Sequence, residues 1–312
     1  MAKGASSVHR RVVAIFFNDS GFDAYPFDDP VYRQAYHELA ELLAERDASA
    51  IIVRSQATYI GDNRFSSGWE FRDGVFVACE GSVIADIVFN RGNFVPRGAV
   101  HMLNHPDIER LCTDKYETWK RFPTLFPRSV VAENVTQAEE ASHSLEGEML
   151  VAKPIALERG IGVLIGPREE VLKNIPSYPY LLQEFIDTSG GIPDIAKSFH
   201  DLRVIIAAGL PVIAYVREPQ GGSFVANQAQ GGKCTFLPLM SLPEDVMTLC
   251  AAVDTALQEY PDRLYSVDMG RNIDGRWQLI ELNSKPGLEP LDASADAPRY
   301  LAAIADILAR KK

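Results

Sequence analysis

Residues 279–287, LIELNSKPG, set one acid and one amide inside an apolar run. Leu279, Ile280 and Leu282 give the run the character of a buried strand. Glu281 and Asn283 are two apart, so on a strand they point the same way. A second apolar run just upstream, YSVDMG at 265–270, carries Asp268, and Ile273-Asp274-Gly275 joins the two. Paired as an antiparallel hairpin, they bring Asp268 opposite Glu281 and Asn283. Carboxylates inside buried strands are costly unless paired or metal-bound. Three converging oxygen donors are what Mg²⁺ requires, with water and nucleotide phosphates completing its shell. A metal so held clamps the β- and γ-phosphates of ATP and spreads the charge of a transferred phosphoryl group.

The chain before this hairpin predicts an α/β fold. Val12–Phe17 (VVAIFF) reads as a buried strand, Val31–Arg46 as a helix with apolar residues at helical spacing, and Ala50–Val53 as the next strand. Strand, helix, strand opens a parallel α/β unit. Trp69–Glu80 reads as a hairpin around Asp73-Gly74, and Ile84–Phe89 as one buried strand ending at Asn90-Arg91-Gly92. His105–Cys112 and Asp114–Arg121 are helical. Val135–Ser144 is a helix, and Met149–Lys153, Val163–Ile165 and Tyr180–Ile186 are strands. Thr188–Phe199 is a loop by composition. Asp201–Ala207 and Pro211–Arg217 form a hairpin about Ala208-Gly209, Leu242–Tyr260 is an amphipathic helix and Arg299–Arg310 a last one.

The 312 residues are 46% hydrophobic and 23% charged, as in globular proteins, and call for more than one lobe. The formal net charge of -11 disfavours nucleic acid and anionic lipid as partners. Cys79, Cys112, Cys234 and Cys250 form no CxxC and no zinc spacing, which suits a reducing compartment. With no signal-like or membrane-length apolar segment, a cytoplasmic location is expected. His101 and His105 have metal-like spacing, but Pro106 spoils a helical pair. Trp69, Trp119 and Trp277 read as packing residues.

ELNSKPGLEP, with its upstream aspartate, resembles the closing signature of RimK-type ATP-grasp ligases, and related patterns occur in glutathione synthetases and D-alanine–D-alanine ligases. Other landmarks of that family follow in order over 114–290. Asp114-Lys115 resembles the pair that opens the grasp region. Lys153 resembles the second phosphate lysine, and Arg159-Gly160-Ile161-Gly162 the glycine loop over the phosphates. Gln183-Glu184-Phe185-Ile186 resembles the adenine-side segment, and Asp201-Leu202-Arg203 the motif after it. Arg217 resembles the arginine that steadies the γ-phosphate; Asn227 and Gly231-Gly232 match residues of the nucleotide site.

The resemblance implies an N-terminal Rossmann-like pre-ATP-grasp lobe, 1–113, then two ATP-grasp subdomains, 114–186 and 187–312, that sandwich ATP. It implies that Lys115, Lys153, Gly160, Gly162, Gln183, Glu184, Phe185, Ile186, Asp201 and Asn227 bind the nucleotide. Asp268, Glu281 and Asn283 would hold Mg²⁺, two ions, with Mn²⁺ as a substitute; Arg217 would be catalytic, and Arg91 and Arg203 would lie toward the substrate. The implied reaction joins a small-molecule or peptide carboxylate to an amine through an acyl-phosphate, releasing ADP and phosphate. Alternatives on the same fold are a phosphotransferase that forms no amide and an ATP-binding regulator without turnover. A dinucleotide-binding dehydrogenase is disfavoured, because Asn18-Asp19-Ser20-Gly21 follows the first strand in place of a GxGxxG turn. Dimers are common in that family. Three features depart from its pattern: Val225 stands where an arginine is usual, the 188–199 loop is long, and Lys285 interrupts N-S-K-P-G.

Overall fold

The computed structural model describes residues 10–156, 161–219, 224, 233–288 and 294–311. Contacts gather in two units, one of residues 1–105, 262–264 and 287–312, the other of 106–261 and 265–286.

The first unit begins with β1 (Arg11–Phe17), α1 (Pro30–Glu45) and β2 (Ala48–Arg54). Asp29 starts α1 by accepting the Val31 N–H, with Pro30 pre-set for the first turn. Strands β1 and β2 pair in parallel, as strand–helix–strand predicts. Short strands follow: β3 (Tyr59–Gly61), β4 (Arg64–Phe65), β5 (Trp69–Arg72), β6 (Val75–Ala78), β7 (Val83–Ile84), β8 (Ile87–Asn90) and β9 (Met102–Leu103). The main sheet has the order β6-β5-β2-β1-β8-β9, and β3-β4-β7 form a small one. Asp73 and Gly74 both take positive φ, 50° and 82°, which closes the β5–β6 hairpin as expected.

The single strand predicted for Ile84–Phe89 is two. Asp86 breaks it, because its carboxylate accepts the Val12 N–H at 2.7 Å and its own N–H donates to the Val12 carbonyl. Val83–Ile84 therefore joins the small sheet.

The second unit contains α2 (Pro106–Thr113), α3 (Lys115–Arg121), β10 (Ser129–Ala132), α4 (Val135–Ser142), β11 (Met149–Pro154), β12 (Leu164–Pro167), α5 (Arg168–Lys173) and β13 (Tyr180–Glu184). Its second half contains β14 (Asp201–Ala207), β15 (Leu210–Glu218), β16 (Lys233–Leu237), α6 (Glu244–Thr255), β17 (Leu264–Arg271) and β18 (Trp277–Asn283). The strands make two sheets, β10-β13-β11-β12 and β16-β15-β14-β17-β18. Strands β10 and β16 and helix α5 are not apparent in the sequence pattern; α6 is shorter than its predicted range.

The final helix, α7 (Ala297–Ala309), packs on α1 and β1. It buries Tyr300, Leu301, Ile304, Ala305, Ile307 and Leu308. By contacts the chain divides at 105/106, beside the boundary expected at 113/114, and residues 287–312 gather with the first unit. The physical reason is the apolar stripe of α7, which is buried against α1.

Candidate active site

Strand β18 carries the decisive irregularity. Asp268 pairs with Glu281 and Met269 with Leu279, so Ile280 has no partner across the ladder and forms a bulge. A strict two-residue period would put Leu279 and Leu282 on opposite faces. With the extra residue both enter the same core, at 0% and 3% exposure. The bulge also frees the Ile280 carbonyl, which accepts a hydrogen bond from Lys153 Nζ at 3.1 Å.

Lys153 comes from β11 in the other sheet of this unit. Its ammonium also donates to Gln183 Oε1 at 2.8 Å. Gln183 is oriented in turn: its Nε2 donates to Ser129 Oγ at 2.9 Å, and Ser129 Oγ donates to the Pro127 carbonyl. Cys112, Lys115, Thr118, Phe126, Leu181, Glu281 and Leu282 line the small pocket around Lys153. Burial lowers the Lys153 pKa to about 8; Glu281 opposes the shift and Lys115 adds to it. Two ammoniums thus face one carboxylate among the lining residues. Lys115 opens α3 directly after its cap Asp114, and its N–H donates to the Ile155 carbonyl at 2.9 Å.

A second group lies on β14, β15 and β17. Arg217 forks onto Asp201, Nε to Oδ1 at 2.6 Å and Nη2 to Oδ2 at 2.8 Å. Arg203 forks onto Asp268, at 2.7 Å through Nε and 2.5 Å through Nη2. Arg217 Nη2 also donates to Asp268 Oδ2 at 2.7 Å. Two acids and two guanidiniums form one buried, neutral set. Desolvation alone would raise Asp268, but Arg203 and Arg217 outweigh it and hold the carboxyl at about 2. Burial raises Asp201 to about 6 against the pull of Arg217.

These contacts bear on two of the expected roles. Asp268 is opposite Glu281, as the hairpin reading requires. Yet it is fully buried, and its two oxygens already accept four bonds, three from the arginines and one from Ser266 Oγ at 3.3 Å. A carboxylate offers about four lone-pair sites, so in this arrangement Asp268 presents none to a metal. Arg203, expected toward the substrate, is instead buried against Asp268. Among the described residues no three His, Cys, Asp or Glu side chains gather as a metal site. Glu281 and Asn283 remain suitable oxygen donors for Mg²⁺: both are only partly buried, and Glu281 lines the pocket. Asn283 Oδ1 accepts the Lys285 N–H at 2.8 Å.

The other expected residues have contacts of their own. Glu184 Oε1 accepts the Glu146 N–H. Phe185 meets the rings of Phe199 and Phe224. Ile186 sits beside Gly270, where a Cβ would come within 2.8 Å of Thr188 Cγ2 and 3.3 Å of Ile186 Cγ2. Gly162 has φ 72° and its carbonyl accepts the Tyr180 hydroxyl. Arg91 belongs to the first unit, where its Nε donates to the Tyr36 hydroxyl and its guanidinium lies over Phe89. Arg159, Gly160, Val225, Asn227 and Gly231-Gly232 lie outside the described residues. The 188–199 loop is pinned: Ile192 and Ala196 exchange backbone hydrogen bonds and enter the core.

Sequence reasoning missed the pocket's wall, Cys112, Thr118, Phe126 and Leu181. Their residue types carry no chemical signal. The nearest signal was Asp114-Lys115, since Thr118 Oγ1 donates to the Asp114 carbonyl one helical turn away.

The profile of the RimK-like ATP-grasp domain matches residues 120–302, and the chain belongs to that family. A probable alpha-L-glutamate ligase of Syntrophotalea carbinolica is 26% identical over 182 residues, which cover 54% of this chain and 53% of the relative. A glutathione synthetase of Synechococcus elongatus is 26% identical over 199 residues, covering 61% and 56%. The chain thus spans about half the length of these curated relatives. In fold it is similar to the RimK domain ATP-grasp protein of Sphaerobacter thermophilus, with TM-score 0.63 at 14% identity over 95% of this chain and 98% of that one. A RiPP-associated ATP-grasp ligase of Chryseobacterium gregarium, solved in complex with ADP and a leader and core peptide, gives TM-score 0.63 at 15% identity over 96% of both chains.

Proposed function

We propose that this protein is an ATP-dependent ligase that joins a carboxylate to an amine. The observation that carries the reading is Lys153: a buried ammonium from one sheet, tied to the bulge of the other beside Glu281. Its two hydrogen-bond acceptors, Gln183 Oε1 and the Ile280 carbonyl, are neutral, and the nearby Glu281 carboxylate only partly offsets the cost of its burial. A buried cation of this kind suits an anionic ligand. The names of the relatives support amino acids or short peptides as acid and amine. The two sheets of the second unit are read as the two halves that hold the nucleotide. A cytoplasmic setting, where ATP is plentiful and the four free cysteines stay reduced, belongs to the same reading.

Lys115 and Lys153 hold the ATP phosphates. Glu281 and Asn283 would hold Mg²⁺, which when bound neutralises phosphate charge. The substrate carboxylate oxygen attacks the γ-phosphorus, the bond to ADP breaks, and an acyl-phosphate forms. The amine then attacks the acyl carbon, inorganic phosphate leaves with the bonding electrons, and the amine gives up a proton. Positioning and charge neutralisation supply most of the rate. Arg217, held by Asp201 and Asp268, is assigned to the charge on the transferred group.

The test is ADP release from purified protein with Mg-ATP against a matrix of amino-acid and peptide carboxylates and amines, with mass spectrometry on active wells. ADP that requires both partners, with a product of their summed mass minus water, is expected. ADP formed with an acid alone would replace the ligase by a phosphotransferase. Glu281→Gln is expected to abolish turnover and leave the fold intact; near-normal turnover would remove Glu281 from the metal site.

A further inference from the structure

Lys285 departs from the family pattern, and the structure gives it a partner. Its Nζ lies 3.4 Å from Glu109 Oε2, with both side chains mostly buried, at 21% and 17% exposure. Glu109 is on α2, which lies against β18. One turn further along α2, Cys112 reaches the wall of the Lys153 pocket. The Asp114 N–H donates to the Arg110 carbonyl at 2.9 Å, and Asp114 Oδ1 caps α3 by accepting from Tyr116 and Glu117. Helix α2 is thereby linked by hydrogen bonds to the start of α3, where Lys115 sits. At the other end of the ion pair, the Lys285 N–H holds Asn283 Oδ1, and Glu281 lies two residues earlier. The pair bridges the segment that carries a phosphate lysine and the strand end that carries the two oxygen donors.

We propose that Glu109–Lys285 is a positioning pair that sets Lys115 against Glu281 and Asn283, and so governs binding of the metal–nucleotide complex. The proposal rests on the functional reading above. A mostly buried ion pair is less screened than a surface one and holds its geometry better. It touches neither phosphate nor metal; it acts through the residues it spaces.

The experiment is calorimetric titration of the full chain with Mg·ADP and, separately, with ADP in chelator, alongside thermal unfolding. Lys285→Met keeps most of the stem and removes the charge. It is expected to weaken Mg·ADP binding about 10–100-fold, the range for groups that orient metal ligands, and to change metal-free ADP binding much less. Lys285→Arg should retain the affinity, and the exchange Glu109→Lys with Lys285→Glu should recover most of it. Unchanged Mg·ADP affinity in Lys285→Met overturns the proposal. Equal weakening of both nucleotide forms together with a fallen unfolding midpoint also overturns it, reducing the pair to a tie in the fold. Wild-type protein that binds neither form overturns the functional reading along with it.

Discussion

Two charged regions of the second unit stand in contrast. In the Asp201–Arg203–Arg217–Asp268 set, charges meet opposite charges at 2.5–2.8 Å and the sum is zero. Around Lys153 the hydrogen-bond acceptors are neutral, and two ammoniums face one carboxylate. The first region pairs its charges and ties three strands together, and of its four members only Arg217 is assigned a role in the reaction. Among the described residues that line the second, two ammoniums accompany one carboxylate, inside a protein of formal net charge -11. A buried cation whose hydrogen bonds go to neutral acceptors is the feature that separates the second region from the first.

The contrast breaks most visibly in stability. Asp268→Asn leaves two guanidiniums with the single carboxylate of Asp201 and takes the paired anion from Arg203, and the loss of one partner of a buried pair costs about 3–5 kcal/mol. Chemical denaturation of the variant against wild type measures it; a loss below about 1 kcal/mol, the scale of an exposed pair, would show that the set does not brace the sheet. Lys153→Met reverses the pattern. Unfolding free energy should hold or rise, because no buried anion is stranded, while kcat/KM should fall about 10²–10³-fold, as on removal of one charge-stabilising donor. Comparable activity in the variant would detach Lys153 from the phosphates.

The smallest effects are those of pH, and Lys153 and Asp201 should differ in sign. Lys153 is charged below about 8, so ADP affinity should fall as pH rises through 8, by at most about tenfold per pH unit. Lys153→Arg should flatten that profile; an unaltered profile would assign the titration elsewhere. For stability, Lys153 binds its proton less tightly folded than unfolded, so its contribution improves from pH 8 upward. Asp201, raised from 3.8 to about 6, binds its proton more tightly folded. Its contribution is present at low pH and is lost as pH climbs through 6. Asp268, held at about 2, contributes above its ordinary 3.8 and loses that as pH falls through 2. Unfolding curves for Asp201→Asn between pH 4 and pH 6 should show less decline than wild type.

Much of this was legible in the sequence. The parallel opening, both hairpins with Asp73-Gly74 and Ala208-Gly209, and the pairing of Asp268 with Glu281 follow from local pattern and turn chemistry. What escaped depends on partners distant along the chain. Arg203 is 65 residues from Asp268, and nothing near either distinguishes a brace from a ligand. The bulge at Ile280 carries no glycine or proline to mark it. Only the burial of both Leu279 and Leu282 reveals it. Gln183 belonged to the nucleotide list by resemblance, while its side chain holds Lys153. Asp86 splits a strand through a bond to Val12, 74 residues away.

The return of α7 to the first unit also has a consequence during synthesis. A ribosome releases β1, α1 and β2 before the helix that covers them, which emerges only after all of residues 106–286. Until then the α7-facing surface of α1 and β1 lacks its cover. Nascent chains with such apolar surface are prone to association and chaperone capture. The second unit lies within one uninterrupted stretch except for 262–264, so in the growing chain the unit begun second has its residues first.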